Sequence, residues 1–138
     1  MKIDEQLFEK ALYAYQNAYT PYSHFNVGAV LLMKDGTIIT GSNIENASYG
    51  LSNCAERSAL FSAYSQGYRK DDIERMMVIG NSRGPISPCG ACRQVMSELI
   101  PLDVEVVLTN LKKDLKIMKV KDLLPYSFTD GDLHGKGI

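Results

Sequence analysis

Several things are missing from this sequence, and each absence narrows the reading. No run approaches the ~20 consecutive apolar residues that a bilayer-spanning helix needs. The opening stretch, Met1 to Gln16, interleaves acidic side chains where a secretory signal needs an uninterrupted apolar core, so a cytoplasmic protein is expected. A basic block is missing too: 15 Lys and Arg stand against 16 Asp and Glu, for a formal net charge of -1. That balance lacks the electrostatic footprint of a nucleic-acid binder and suits a small neutral ligand better than a polyanion. No Pro/Gly/Ser-rich linker, repeat or composition break divides the 138 residues, so one domain over 1–138 is expected. A chain of this size buries roughly two thirds of its unfolded surface and needs no staple to fold. Cysteine is scarce and odd in number, three in all. An odd count fits a secreted disulfide framework poorly and an intracellular metal or redox site better.

Apolar spacing supplies the elements. Ile3, Leu7, Ala11, Tyr15 and Ala18 recur at helical period, which predicts an opening amphipathic helix ending near Thr20 and Pro21. Val27 to Met33 and Thr37 to Gly41 read as strands joined through Asp35-Gly36, a strong hairpin signal. Cys54 to Gln66 is predicted helical, with Ser52 or Asn53 as N-cap and Gly67 as the stop. Met76 to Gly80 reads as a buried strand, and Cys89 to Leu99 as a helix capped by Ser87 with Pro88 in its first position. Val104 to Thr109 and Leu115 to Val120 complete the set as a C-terminal β-hairpin, because their link is too short for a parallel crossover. The predicted fold class is α/β, a three-layer domain with a five-stranded mixed sheet and helices on both faces.

Two segments carry chemistry: Cys54-Ala55-Glu56 and Pro88-Cys89-Gly90-Ala91-Cys92. Both fall at predicted helix N-termini, where the helix dipole favours thiolate over thiol. Cys89 and Cys92, three apart, share one helix face, and Cys54 offers a third sulfur. Three protein ligands with a fourth position open is the arrangement of a catalytic zinc site, one Zn2+ per chain. Glu56 is the candidate general acid and base. Residues two apart on a helix point about 200° from each other, so Cys54 and Glu56 converge only if Cys54 precedes regular helix. Three thiolates leave an excess negative charge on the ion, and the adjacent Arg57 is the candidate to offset it; a solvated surface Arg is the plainer alternative.

The sequence also resembles the small, zinc-dependent cytidine deaminase family from about Tyr13 to His134. The likeness rests on Ala18 to Ser23, Phe25 to Ala29, Asn43 to Tyr49, Cys54 to Arg57 and Ser87 to Gln94. Cysteine stands first in the zinc signature in place of histidine, matching the three-cysteine variant of the deaminase motif. The resemblance implies hydrolytic deamination of cytidine and deoxycytidine in pyrimidine salvage, with Cys54, Cys89 and Cys92 as zinc ligands and Glu56 as proton shuttle. It implies that Asn43 and Glu45 hold the sugar hydroxyls, Phe25 stacks on the base, and Ala55 lines the substrate site. It further implies a homotetramer in which Ala47 and Tyr49 reach a neighbouring subunit's site and Phe128 closes over the ligand from across an interface. An amide beside a carboxylate suits a hydroxyl and repels phosphate, which favours a nucleoside over a nucleotide.

Other readings compete. Cys89-Gly90-Ala91-Cys92 alone fits a thiol-disulfide redox motif, but that leaves Cys54-Ala55-Glu56 and Asn43/Glu45 unexplained. A purely structural zinc site wants a fourth protein ligand, and the two histidines, His24 and His134, lie far from the cysteines in sequence. A polynucleotide deaminase should show a basic, aromatic-lined channel. A deaminase of blasticidin or another cytosine-containing nucleoside is the nearest rival. The methionines and Tyr13, Tyr15 and Tyr19 read as packing. Gly131 to Lys136 departs from phosphate-loop spacing and is given no function.

Overall fold

The computed structural model describes residues 3–135. Helix α1 (Glu5–Gln16) starts where Asp4 accepts a hydrogen bond from Leu7 N, and it buries Leu7, Phe8, Ala11 and Ala14. It ends earlier than its periodicity suggests. Tyr19 N donates to Asn43 O and Glu45 N donates to Tyr19 O, so pairing with the segment after β2 draws the chain off the helix.

Strands β1 (Val27–Met33) and β2 (Ile38–Ser42) form the expected hairpin, with Gly36 at φ 91° in the turn. Strand β3 (Ile73–Gly80) lies antiparallel to β1 and parallel to β4 (Glu105–Asn110), whose antiparallel neighbour is β5 (Leu115–Lys119). The sheet order is β2-β1-β3-β4-β5. Side chains alternate across it, as a strand covered on both faces requires. Val30, Met77, Ile79 and Val107 pack under α1. Ala29, Leu31, Met76 and Val78 pack on the other face with the residues of α2 (Ala55–Ser65) and α3 (Gly90–Leu99). The predicted five-stranded mixed sheet with helices on both faces is therefore the observed architecture, C-terminal hairpin included.

One close approach fixes where α2 lies. A Cβ on Gly41 would sit 2.4 Å from Ala59 N and 2.5 Å from Ala55 O, so only glycine lets the helix rest directly on β2. Both helices begin one or two residues later than expected. Cys54, not Ser52 or Asn53, is the N-cap of α2, and Cys89, not Ser87, is the N-cap of α3. Pro88 therefore precedes the cap, and Cys89 Sγ, 3.4 Å from Cys92 N, takes the acceptor role expected of Ser87. Two four-residue helices, α4 (Val120–Leu123) and α5 (Asp130–Leu133), and the 3₁₀ turns Tyr49–Leu51 and Lys70–Asp72 were not expected. One turn is too short for a helical period to show. Val120 opens α4 and does not extend β5. Lys136, the end of the Gly131 to Lys136 stretch, lies outside the described residues.

Candidate active site

Helices α2 and α3 share one face of the sheet, and their N-termini meet beyond the C-terminal end of β3, the crevice where open α/β sheets place ligands. Cys54 has extended backbone, φ -76° and ψ 156°. That conformation lets it share a site with Glu56, one residue into the helix. Cys89 is extended likewise, φ -69° and ψ 164°, three residues before Cys92. The Sγ atoms of Cys54 and Cys89 are 3.8 Å apart, and all three sulfurs lie within 4.8 Å of one another. A tetrahedral ion with Zn–S bonds of about 2.3 Å separates its sulfurs by about 3.8 Å, so Cys54 and Cys89 already stand at zinc spacing and Cys92 lies near enough to complete the trio. Among the described residues neither His24 nor His134 joins this group, so no fourth side chain makes it a closed structural site.

The charge of the cluster is shaped by its surroundings. Arg57 Nη2 is 3.1 Å from Cys54 Sγ, and its Nε is buried with no acceptor among the described residues. Arg57 is thus a partner of the thiolates and not a solvated surface cation. The hydrogen bond with Cys92, then that with Arg57, pulls the Cys54 thiol down to about 5. Cys92, held protonated first by its hydrogen bond to that thiolate and then by burial, is pushed up. This unequal sharing belongs to sulfurs alone; a divalent cation among them favours the thiolate at each. Glu56 is 4% exposed, and burial first, then the charge on Cys54, lifts its carboxyl to about 7. A carboxyl of that kind can take and return a proton near neutrality.

These groups open into a cavity of about 250 Å³. Cys54, Cys89 and Glu56 line it together with Phe25, Asn43, Glu45, Tyr49 and Ala55. Gly80 leaves room at the end of β3: a Cβ there would lie 2.7 Å from Ile86 Cδ1 and 3.5 Å from the Phe25 ring. Two larger grooves lie elsewhere, about 340 Å³ beside the Arg75–Glu105 ion pair and about 370 Å³ beside Lys70 and Phe128. Their linings hold no sulfur and no buried acid, so size does not choose the site here; chemistry does.

Asn43 and Glu45 are held in a hydrogen-bonded frame. Asn43 Oδ1 accepts from Val27 N at 2.9 Å, and Nδ2 donates to Phe25 O at 2.9 Å. Glu45 Oε1 accepts from Tyr22 N and Ser23 N, each at 3.1 Å, and Oε2 accepts from Ser23 Oγ. The Ser23 hydroxyl, ahead of the backbone donors, holds the Glu45 carboxyl below the usual range. Counting hydrogen-bonding capacity, Glu45 Oε2 keeps an acceptor position and Asn43 Nδ2 keeps a donor, the pair a hydroxyl can satisfy.

The structure thus gathers Phe25, Asn43, Glu45, Ala55, Glu56, Cys54 and Cys89 at one cavity, with Cys92 fully buried against the sulfurs. Tyr49, implied to reach a neighbour's site, lines the cavity of its own chain. Ala47 is exposed and lines none of it. Phe128 is away from it, 57% exposed, with Gln94 Nε2 donating to its carbonyl at 2.9 Å. Ser23, Val27, Ile86 and Ser87 also line the cavity and were not singled out as site residues. Ser23, Val27 and Ser87 fall inside the stretches that carry the family likeness, but Ser87 reads in sequence as a helix cap and Val27 as a strand residue, and Ile86 lies outside those stretches.

Comparison with known proteins agrees with this geometry. Residues 1–108 match the model of the cytidine and deoxycytidylate deaminase zinc-binding region. A cytidine deaminase of Halalkalibacterium halodurans is 54% identical over 130 residues, covering 94% of this chain and 97% of that protein. One of Mycobacterium tuberculosis is 35% identical over 128 residues, covering 89% of this chain and 87% of the relative. The crystal structure of cytidine deaminase from Burkholderia pseudomallei superposes with a TM-score of 0.89 at 52% identity, covering 92% of this chain and all of that one (100%).

Proposed function

Because the chain belongs to the cytidine and deoxycytidylate deaminase zinc-binding family, we propose that it catalyses hydrolysis of cytidine and deoxycytidine to uridine and deoxyuridine with release of ammonia. One observation carries this reading: a buried acid, Glu56, opens into the same cavity as a zinc-fitting trio of sulfurs, with a hydroxyl-matching pair, Asn43 and Glu45, also on its wall.

Cys54, Cys89 and Cys92 would hold zinc, which would supply the Lewis acidity that makes water a nucleophile near neutral pH. The chain's own residues do the rest. Glu56 takes a proton from the water that attacks ring carbon four and gives it to the ring nitrogen, then carries the proton of the new hydroxyl on that carbon to the departing amine, which leaves as ammonia. Burial keeps bulk water from competing for that proton. Phe25 gives the base a flat apolar surface, and Ala55 contributes to the wall. Asn43 and Glu45 take the sugar. Arg57 offsets the negative charge of the thiolates.

The functional form is a homotetramer in the cytoplasm, built from one deaminase domain over 1–138, with sites shared between subunits. Phe128 supports sharing: its ring is exposed and distant from its own cavity, free to close a neighbour's. Ala47, exposed and outside the lining of its own cavity, is the second candidate for a cross-subunit contact. The test is loss of cytidine absorbance, with ammonia release, before and after chelation and after zinc is restored. Activity that ignores the chelator, or no turnover of cytidine by zinc-loaded protein, overturns the assignment.

A further inference from the structure

Ser23 stands between the two ends of the cavity. Its hydroxyl donates to Glu45 Oε2 and accepts from Phe25 N at 3.1 Å, while its backbone N–H donates to Glu45 Oε1 at 3.1 Å. From the other side, Asn43 Nδ2 holds Phe25 O. The peptide units flanking Phe25 are thereby gripped by one group from the carboxylate side and one from the amide side. Ser23 also faces the cavity. Nothing else in the 20–26 loop binds Glu45 through a side chain; Thr20 spends its hydroxyl on Asn26 Oδ1.

We propose that Ser23 is a positioning residue that couples sugar recognition to base stacking, by aiming the Glu45 carboxylate at a sugar hydroxyl while fixing the backbone of Phe25. The inference rests on the cytidine deaminase reading above. The physical reason is directional. A carboxylate bound by two backbone N–H groups through Oε1 can still pivot about that oxygen, and the Ser23 hydroxyl at Oε2 stops the pivot. With the pivot stopped, the remaining acceptor position of Oε2 has a defined direction. A hydroxyl bound there pulls on the same hydrogen-bonded chain that seats the aromatic ring.

The test compares cytidine with 2′,3′-dideoxycytidine, which keeps the base and lacks the ring hydroxyls of the sugar, on zinc-loaded Ser23→Ala, Ser23→Cys and Ser23→Thr proteins. For cytidine, Ser23→Ala should lose about 10- to 100-fold in kcat/KM, the range for hydrogen bonds to charged groups, mostly as a raised KM. For the dideoxy analogue the loss should be a few-fold at most, because there is no hydroxyl for Glu45 to meet. Ser23→Thr, which keeps the hydroxyl, should restore discrimination between the two substrates. Ser23→Cys, a weak donor, should fall between, and it carries the test if the alanine variant does not fold. Equal losses on both substrates mean that Ser23 only stiffens the loop and overturn the proposal. No loss on cytidine overturns it as well. Failure of the underlying reading is separate and visible, since it leaves the unaltered protein with no cytidine turnover at all.

Discussion

The guanidinium of Arg57 meets the thiolate of Cys54 at 3.1 Å across the first turn of α2, joining the residue after the acid to the residue two before it. This contact places a fixed positive charge against a cluster that three thiolates make anionic. Arg57→Gln keeps a donor but removes the charge. Partners of metal ligands are typically worth about 10- to 100-fold in metal affinity, and a loss in that range is expected in chelator-competition titrations. Zinc retention equal to that of the unaltered protein shows that the contact carries no such role.

Glu56→Gln preserves shape and removes the proton carrier. The variant should bind one zinc per chain and melt no lower than the unaltered protein, because a buried carboxyl is replaced by a neutral amide. Turnover should fall about 10²- to 10⁴-fold, with the loss in kcat. Metal analysis, thermal melting and steady-state rates on one preparation check the three parts together. A variant that turns over cytidine at a near-normal rate removes Glu56 from the mechanism.

Much of this was legible in the sequence, for identifiable reasons. Met76 to Ile79 is an unbroken apolar run, the trace left by a strand whose side chains go alternately to two covered faces. Cys89 and Cys92 stand three apart, which brings them to one ion even though Cys89 is the extended cap and only Cys92 lies in α3, and Cys54-Ala55-Glu56 carries the deaminase motif. The helix caps were missed because cysteines occupy both cap positions: Cys89 accepts from Cys92 N as a Ser or Asn would, while Cys54 caps α2 with no side-chain hydrogen bond at all, and cap propensities describe ordinary helix starts. Ser23, Ile86 and Ser87 were missed as cavity residues because tertiary approach alone brings them there. The frame around Asn43 and Glu45 was equally hidden, since its donors come from backbone positions about twenty residues away.

Gly41 links fold to chemistry through the seating of α2. Its alanine variant puts a methyl 2.4 Å from Ala59 N and 2.5 Å from Ala55 O, and backbone cannot yield as a side chain can. Overpacking of this kind costs about 1–3 kcal/mol, and the helix must lift, carrying Cys54 and Glu56 away from Cys89. Gly41→Ala should therefore lower the melting temperature and weaken zinc together. Gly50→Ala, whose added methyl meets nothing within 4 Å, is the control and should change neither. A Gly41→Ala protein with unaltered stability and zinc affinity shows that the helix seat is not tight.

Glu45 should leave its mark on acid stability. Its folded carboxyl titrates below the ordinary value of 4.5, held there by the Ser23 hydroxyl first and by the Ser23 and Tyr22 N–H groups. A carboxyl depressed on folding contributes stability that is fully present above its unfolded pKa and lost as pH falls through the lower, folded one. Glu45→Gln has no titrating group and cannot show that loss. Urea midpoints of the two proteins, measured with zinc removed so that acid release of the metal does not intrude and with the shared cysteine titration cancelling in the difference, should differ by a constant amount from pH 8 to about pH 5.5. Below about pH 4.5 the unaltered protein should lose its advantage, and the two midpoints should converge. A gap that stays constant down to pH 3 means that the carboxylate gains nothing from the Ser23 hydroxyl and the backbone donors around it.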